Sequence, residues 1–206
     1  MRLSVSHVTR YRYAAPIRQV VQSHRLAPSR FAGQRTLDWK VEVDGGRFSQ
    51  PFTDGAGDTI RTMSLHGPVQ AIDIHVTGTV ETVDLAGVLK AHRERISPLV
   101  YLRTTRATRP DAALRKLAAK AVSGIPETAL LERAHAMSAA VADGIVYAPG
   151  ETHAHTTAAE ALGLALGVCQ DHAHALIACA VSVGIPARYV SGYLFASADG
   201  APHEAS

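Results

Sequence analysis

The stretch Gly167-Val168-Cys169-Gln170-Asp171-His172-Ala173-His174-Ala175-Leu176-Ile177-Ala178-Cys179-Ala180 decides how this chain is read. An apolar, alanine-rich run follows a glycine and a cysteine, which predicts a helix with Cys169 at or near its N-terminus. Unpaired N–H groups and the positive end of the helix dipole stabilise a thiolate there, the usual preparation of a nucleophilic cysteine. Asp171 in the same turn suits the dipole but opposes a thiolate, so the arrangement calls for a histidine. The plainer reading makes Cys169 a small buried residue, as free cysteines often are. Cys179 falls deep in the apolar part of the helix and reads as core. On one continuous helix the two cysteines stand about 15 Å apart, beyond the roughly 7 Å that a disulfide spans. Both thiols are therefore expected free, as in a reducing compartment.

The histidines offer a competing reading. His153-Ala154-His155 and His172-Ala173-His174, together with Cys169, resemble a zinc set in composition. Cys169 and His172 have the three-residue spacing of ligands on one helix, but His172 and His174 do not share a face. No Cys-x-x-Cys or His-Glu-x-x-His pattern is present, so neither a metal nor a cofactor is expected.

Upstream of this stretch the texture is helical from about residue 100. Pro110-Asp111 is a helix-start signal, with Leu114, Leu117, Ala118, Ala121 and Val122 at helical spacing, stopped by Gly124-Ile125-Pro126. A second helix is predicted from Glu127-Thr128, with Leu130, Ala134, Met137 and Val141 as its buried stripe and Gly144 at its end. Thr157-Ala158-Ala159-Glu160 has the spacing of a capping box. Downstream, Ala187 to Phe195 reads as a strand.

The first ninety or so residues read as β structure. Leu37, Trp39, Val41 and Val43 alternate strictly with polar residues and stop at Gly45-Gly46. Ala15-Pro16 is expected to end a first strand; Asp54-Gly55 with Gly57-Asp58, and His66-Gly67-Pro68, mark further turns. Several short strands favour a sandwich or an open antiparallel sheet. The fold class is therefore α+β: a β-sandwich-like domain over residues 1–95, then a domain of helices and a strand over 96–206.

Composition narrows the function. Of 206 residues 47% are hydrophobic and 19% charged, which excludes a disordered chain. No apolar run is long enough to span a membrane, and Arg2, His7, Arg10 and Arg12 interrupt any leader-like core, so a cytoplasmic protein is expected. No acid precedes Asp38, whereas Arg2, Arg10, Arg12, Arg18, Arg25, Arg30 and Arg35 all do. These arginines are interleaved with apolar residues, as on the wet face of a sheet, so nucleic acid is not the expected partner.

Two blocks carry a resemblance. Gly-Val-Cys-Gln-Asp-His-Ala-His at 167–174, followed by Gly184-Ile185-Pro186-Ala187-Arg188-Tyr189-Val190-Ser191-Gly192-Tyr193, resembles the bacterial transglutaminase-like cysteine superfamily. His7-Val8-Thr9-Arg10-Tyr11-Arg12-Tyr13, Arg25-Leu26-Ala27-Pro28 and Phe52-Thr53-Asp54 look like the β-rich region that precedes that catalytic domain. The resemblance implies a papain-like arrangement, with Cys169 as nucleophile and a histidine and an acid on following strands. It implies an attack on an amide of a peptide or protein substrate, a thioester, and release by water or an amine, with hydrolysis favoured over crosslinking. The Cys169 N–H would be one oxyanion donor. Tyr147 and Gln170 are candidates for an oxyanion or cleft role, although a core position is the plainer reading of Tyr147.

The family's catalytic histidine follows a Gly-Tyr-Leu-like strand, and this sequence closes with Pro202-His203-Glu204-Ala205-Ser206, just short of it. His203 stands beside Pro202 in a polar turn with little to hold its ring, so of the triad only Cys169 carries over. The expectation is a truncated domain, inactive by itself. Residues 187–196 would then leave a strand edge open to swapping or homodimerisation. The alternative from another class is a non-catalytic protein- or peptide-binding module with a degenerate cleft.

Overall fold

The computed structural model describes residues 1–193 and 195. The chain divides into two compact units, Met1–Ile96 and Ser97–Ser206.

The first unit is an antiparallel sheet built around two long strands. Strand β1 (Arg2–His24), β2 (Gln34–Val43), β3 (Arg47–Phe48) and β4 (Phe52–Thr53) all pair with β5 (Thr59–Thr82), and the main order is β1-β5-β2. The breaks expected at Ala15-Pro16 and at His66-Gly67-Pro68 are not strand ends. Both prolines fall where the β1–β5 register shifts, between Arg12↔Ala71, Ile17↔Val69 and Gln19↔His66. A residue without an N–H is tolerated at such an irregularity, and the ladder resumes beyond it. Gly67 is needed at that point, since a Cβ there would run into the Ile17 carbonyl.

Period-two alternation buries Ile72, Ile74, Val76 and Val80 of β5 on one face. Ile72 and Ile74 share a core with Val20, Val43, Met63 and Val69. Leu37 breaks the alternation expected of β2. The register shifts between Thr36 and Asp38, which leaves Leu37 as the extra residue of a bulge, 38% exposed. Trp39 lies opposite Gly78, where a Cβ would strike its ring, and its Nε1 donates to the Leu26 carbonyl at 2.7 Å. The turn at Asp54 forms as read: Asp54 Oδ1 accepts from the Ala56 and Asp58 amides, both at 3.0 Å. Four of the early arginines find acids. Arg10 and Arg12 pair with Asp73, Arg35 with Glu81 and Arg25 with Asp54.

The second unit opens with a 3₁₀ turn (Pro98–Leu102), then helices α1 (Ala112–Ala121) and α2 (Leu130–Gly144). Strand β6 (Val146–Tyr147), helix α3 (Ala158–Leu164), strand β7 (Leu166–Gly167) and helix α4 (Cys169–Ser182) follow. Asp111 caps α1 by accepting from the Leu114 amide at 2.8 Å. The Thr157–Glu160 capping box opens α3 in both directions. Helix α2 starts at Leu130 rather than at Glu127-Thr128. Leu130 stands in its first turn, ahead of the level where neighbours pack, and is 56% exposed; the buried stripe is Arg133, Met137 and Val141. The core joins Leu114 and Ala118 of α1, Met137 and Val141 of α2, Ala158 and Ala161 of α3, and Ala175, Ala178 and Cys179 of α4.

The strand expected over Ala187–Phe195 is not present in its described residues, which carry no regular secondary structure. A strand exists only by pairing, and among the described residues no segment pairs with this one.

His24 in β1 is 8% exposed; its Nε2 faces Gln22 Oε1 at 3.0 Å and its Nδ1 has no partner among the described residues. Burial lowers its pKa from 6.5. The unfolded chain therefore takes up a proton that the folded chain resists, so stability is lost as pH falls below 6.5. Melting curves from about pH 7 down to about pH 5 should show this fall, and His24→Gln should make it shallower. An unchanged slope in that variant would assign the titration to another group.

Candidate active site

The candidate site is the first turn of α4. The parallel pair β6–β7, in register Val146↔Leu166 and Tyr147↔Gly167, leads the chain into it. Its ladder is closed by Val146 N–H to the Ala165 carbonyl and Ala148 N–H to the Gly167 carbonyl, each at 2.9 Å. Val168 is the N-cap and Cys169 the first helical residue, so the sequence placed the thiol correctly on its helix. Cys169 is exposed, contrary to the buried reading, and Cys179 two to three turns on is 1% exposed. Both thiols are free. The Cys179 Sγ lies 3.6 Å from the Leu114 carbonyl, and burial pushes its pKa up to about 11. Among the described residues Cys169 Sγ has no hydrogen-bond partner, and the Cys169 N–H, ahead of the helical ladder, has none either.

Asp171 is the best-buried charged side chain of this turn, at 1% exposure. Its Oδ2 accepts from the Val168 amide at 2.8 Å and from the Thr152 hydroxyl at 2.6 Å. Its Oδ1 is buried with no partner among the described residues. A Cβ on Gly167 would stand 2.7 Å from Asp171 Cβ and 3.0 Å from Oδ2, so the glycine makes room for this carboxylate.

The neighbouring histidines do not serve the thiol. His172 sets Nδ1 against the Val168 carbonyl at 3.0 Å and Nε2 against the Ile145 carbonyl at 2.8 Å. Both nitrogens face main-chain carbonyls, so the ring bridges Ile145, the residue just ahead of β6, and the first turn of α4. His174 packs against the Tyr189 ring, with centroids 5.6 Å apart. Burial lowers its pKa, and the Asp171 charge opposes that shift. His153 and His155 are exposed, with ring centroids 6.2 Å apart, and among the described residues no group of three or more candidate ligands could hold a metal. His203 lies outside the described residues.

Tyr147 is not a core residue. It stands 63% exposed on β6 opposite Gly167, because a two-stranded pair leaves its outer face uncovered. The Gln170 carboxamide reaches the Ala154 carbonyl at 3.4 Å and so bears on the 148–157 loop. The Thr152–Asp171 bond escapes a sequence reading. The available signal was an acid at the third helical position, the reverse half of a capping box, hidden because a valine occupies the cap.

The thiol is thus presented at a helix N-terminus, beside a short parallel pair. Residues 3–81 match the family described as bacterial transglutaminase-like N-terminal region, and residues 115–204 match the transglutaminase-like superfamily. The chain belongs to that superfamily and combines its core with the bacterial N-terminal region. An uncharacterised protein of Mycobacterium leprae is 29% identical over 96% of this chain and 73% of its own length. An uncharacterised protein of Mycobacterium tuberculosis is 26% identical over 94% of this chain and 66% of its own length. The crystal structure of a "putative cysteine protease" from Cytophaga hutchinsonii superposes with a TM-score of 0.65 at 20% identity, covering 90% of this chain and 65% of that one. That likeness shows the shared α+β fold. Among the described residues no helix is long and apolar enough to cross a membrane.

Gly167→Ala should destabilise the second unit by about 2 kcal/mol, the usual range for forcing extra volume into a packed site. Urea unfolding measures it; a change within about 0.5 kcal/mol would mean that Asp171 moves aside freely.

Proposed function

We propose thiol-dependent amide-bond chemistry, most simply that of a peptidase or amidase, in which this chain contributes Cys169 as the nucleophile. The observation that carries the reading is the contrast between its two thiols. Cys169 is exposed at the first residue of α4, while Cys179 is sealed in the core of the same helix. Membership of the superfamily supports it, as does the fold shared with the Cytophaga hutchinsonii protein.

In this reading the Cys169 thiolate attacks a carbonyl carbon and the oxyanion forms next to the unpaired Cys169 N–H. Collapse breaks the C–N bond, the amine leaves with a proton, and water resolves the thioester. The base that takes the thiol proton, and the acid that orients it, come from outside the described residues. Tyr147, exposed across β6–β7 from Gly167, is the side chain proposed to line the cleft and offer a second donor; Gln170 borders the same turn from the loop side.

Iodoacetamide labelling read by peptide mass spectrometry tests the reading. Cys169 should react about tenfold faster than glutathione near pH 6, where an unassisted thiol is almost wholly protonated. Cys179 should stay unlabelled. An activated ester should leave its acyl group on Cys169, and Cys169→Ala should abolish that adduct. A Cys169 no faster than glutathione, with no acyl adduct, would overturn the assignment.

A further inference from the structure

The proposed nucleophile sits on a turn that the structure holds from below. The Thr152 hydroxyl donates to Asp171 Oδ2 at 2.6 Å, and the same oxygen accepts from the Val168 amide at 2.8 Å. One carboxylate oxygen therefore joins the loop between β6 and α3 to the Gly167–Val168 peptide, one residue ahead of Cys169. The carboxylate is 1% exposed and its second oxygen has no partner among the described residues, an unfavourable condition for a charge. Removing either donor would leave a buried acceptor still less satisfied, and the turn would give up its tie to the loop.

We infer that Thr152 and Asp171 form a positioning pair: the Thr152 hydroxyl fixes the Asp171 carboxylate, which fixes the Val168 amide and so the direction of the Cys169 N–H and thiol. This inference rests on Cys169 being the nucleophile. Neither residue touches the reacting atoms. Their effect passes through the backbone, so loss of the pair lowers the reactivity of Cys169 without altering the core that surrounds Cys179. Gln170 bears on the same loop through the Ala154 carbonyl, but at 3.4 Å it is the weaker tie.

The test compares Thr152→Val, which keeps the shape and removes the donor, with Thr152→Ser, which keeps the donor. Cys169 labelling by iodoacetamide is followed at a temperature where both variants are folded, with Cys179 protection as the measure of an intact core. Thr152→Val should slow Cys169 labelling by about fivefold, a part of what losing one hydrogen bond to a charged acceptor costs because the effect reaches the thiol through the backbone, and Thr152→Ser should stay within about twofold of the parent. Hydrogen exchange over residues 166–172 should quicken in the valine variant only. Thr152→Ala carries the same expectation should the valine not be accommodated. Equal labelling rates in the parent, valine and serine chains would overturn the pair, as would equal slowing by valine and serine. A parent Cys169 as inert as Cys179 would instead overturn the nucleophile assignment and this inference with it.

Discussion

The hydrogen bond from the Val168 amide to the buried Asp171 carboxylate fixes where α4 begins, and the site depends on that beginning. Residues two apart on a helix point about 200° away from each other at about 100° per residue. With the start set at Cys169, Asp171 faces the interior while the thiol faces out. This geometry resolves the conflict that an acid so near a thiolate creates on paper. Their charges stand on opposite sides of one turn, and the acid spends its hydrogen bonds inward. Gly167 is part of the same constraint, since any Cβ there would occupy the space of the carboxylate.

The turn is anchored by the packing of the rest of the helix. Ala175 and Ala178 are wholly buried, and such small side chains let α1, α2 and α3 approach α4 closely. Cys179 fills the same core and has the raised pKa of a desolvated thiol. His172 adds a second brace, since its two ring nitrogens face the carbonyl of Ile145 at the end of α2 and that of Val168 in the turn itself. A single helix thus holds one thiol inert and offers the other. The difference is the depth of each along the helix, not its chemistry.

Much of this was legible in the sequence wherever a local rule decides the outcome. Asp111 at the start of α1, the Thr157–Glu160 box and the glycine-rich turn at Asp54 each act through atoms a few residues apart, and each formed as read. Failures came where tertiary partners decide. Pro16 and Pro68 looked like strand ends because a proline lacks a donor, yet each lies at a register shift where the donor is not needed. Leu37 looked buried by alternation, but a bulge removed it from the pattern. Tyr147 looked like core from its apolar ring, and only the two-stranded pairing shows it uncovered. The Thr152–Asp171 bond joins residues nineteen apart across a loop, beyond the reach of any periodicity.

The identity of the cap explains why the helix is held in this unusual way. A Ser, Thr, Asp or Asn at position 168 would turn its side-chain oxygen onto the amides of the second and third helical residues. That would bring an acceptor close to the open Cys169 N–H, which the proposed chemistry offers to an oxyanion. With Val168 there, α4 has no side-chain cap bond, and Asp171 reaches back to the amide ahead of the helix rather than covering the amides within it. The start of the helix is thereby fixed from the buried side, and its positive end stays open on the side of the thiol. A conventional cap would stabilise the same helix as well or better, at the expense of the one place where a developing negative charge could be received.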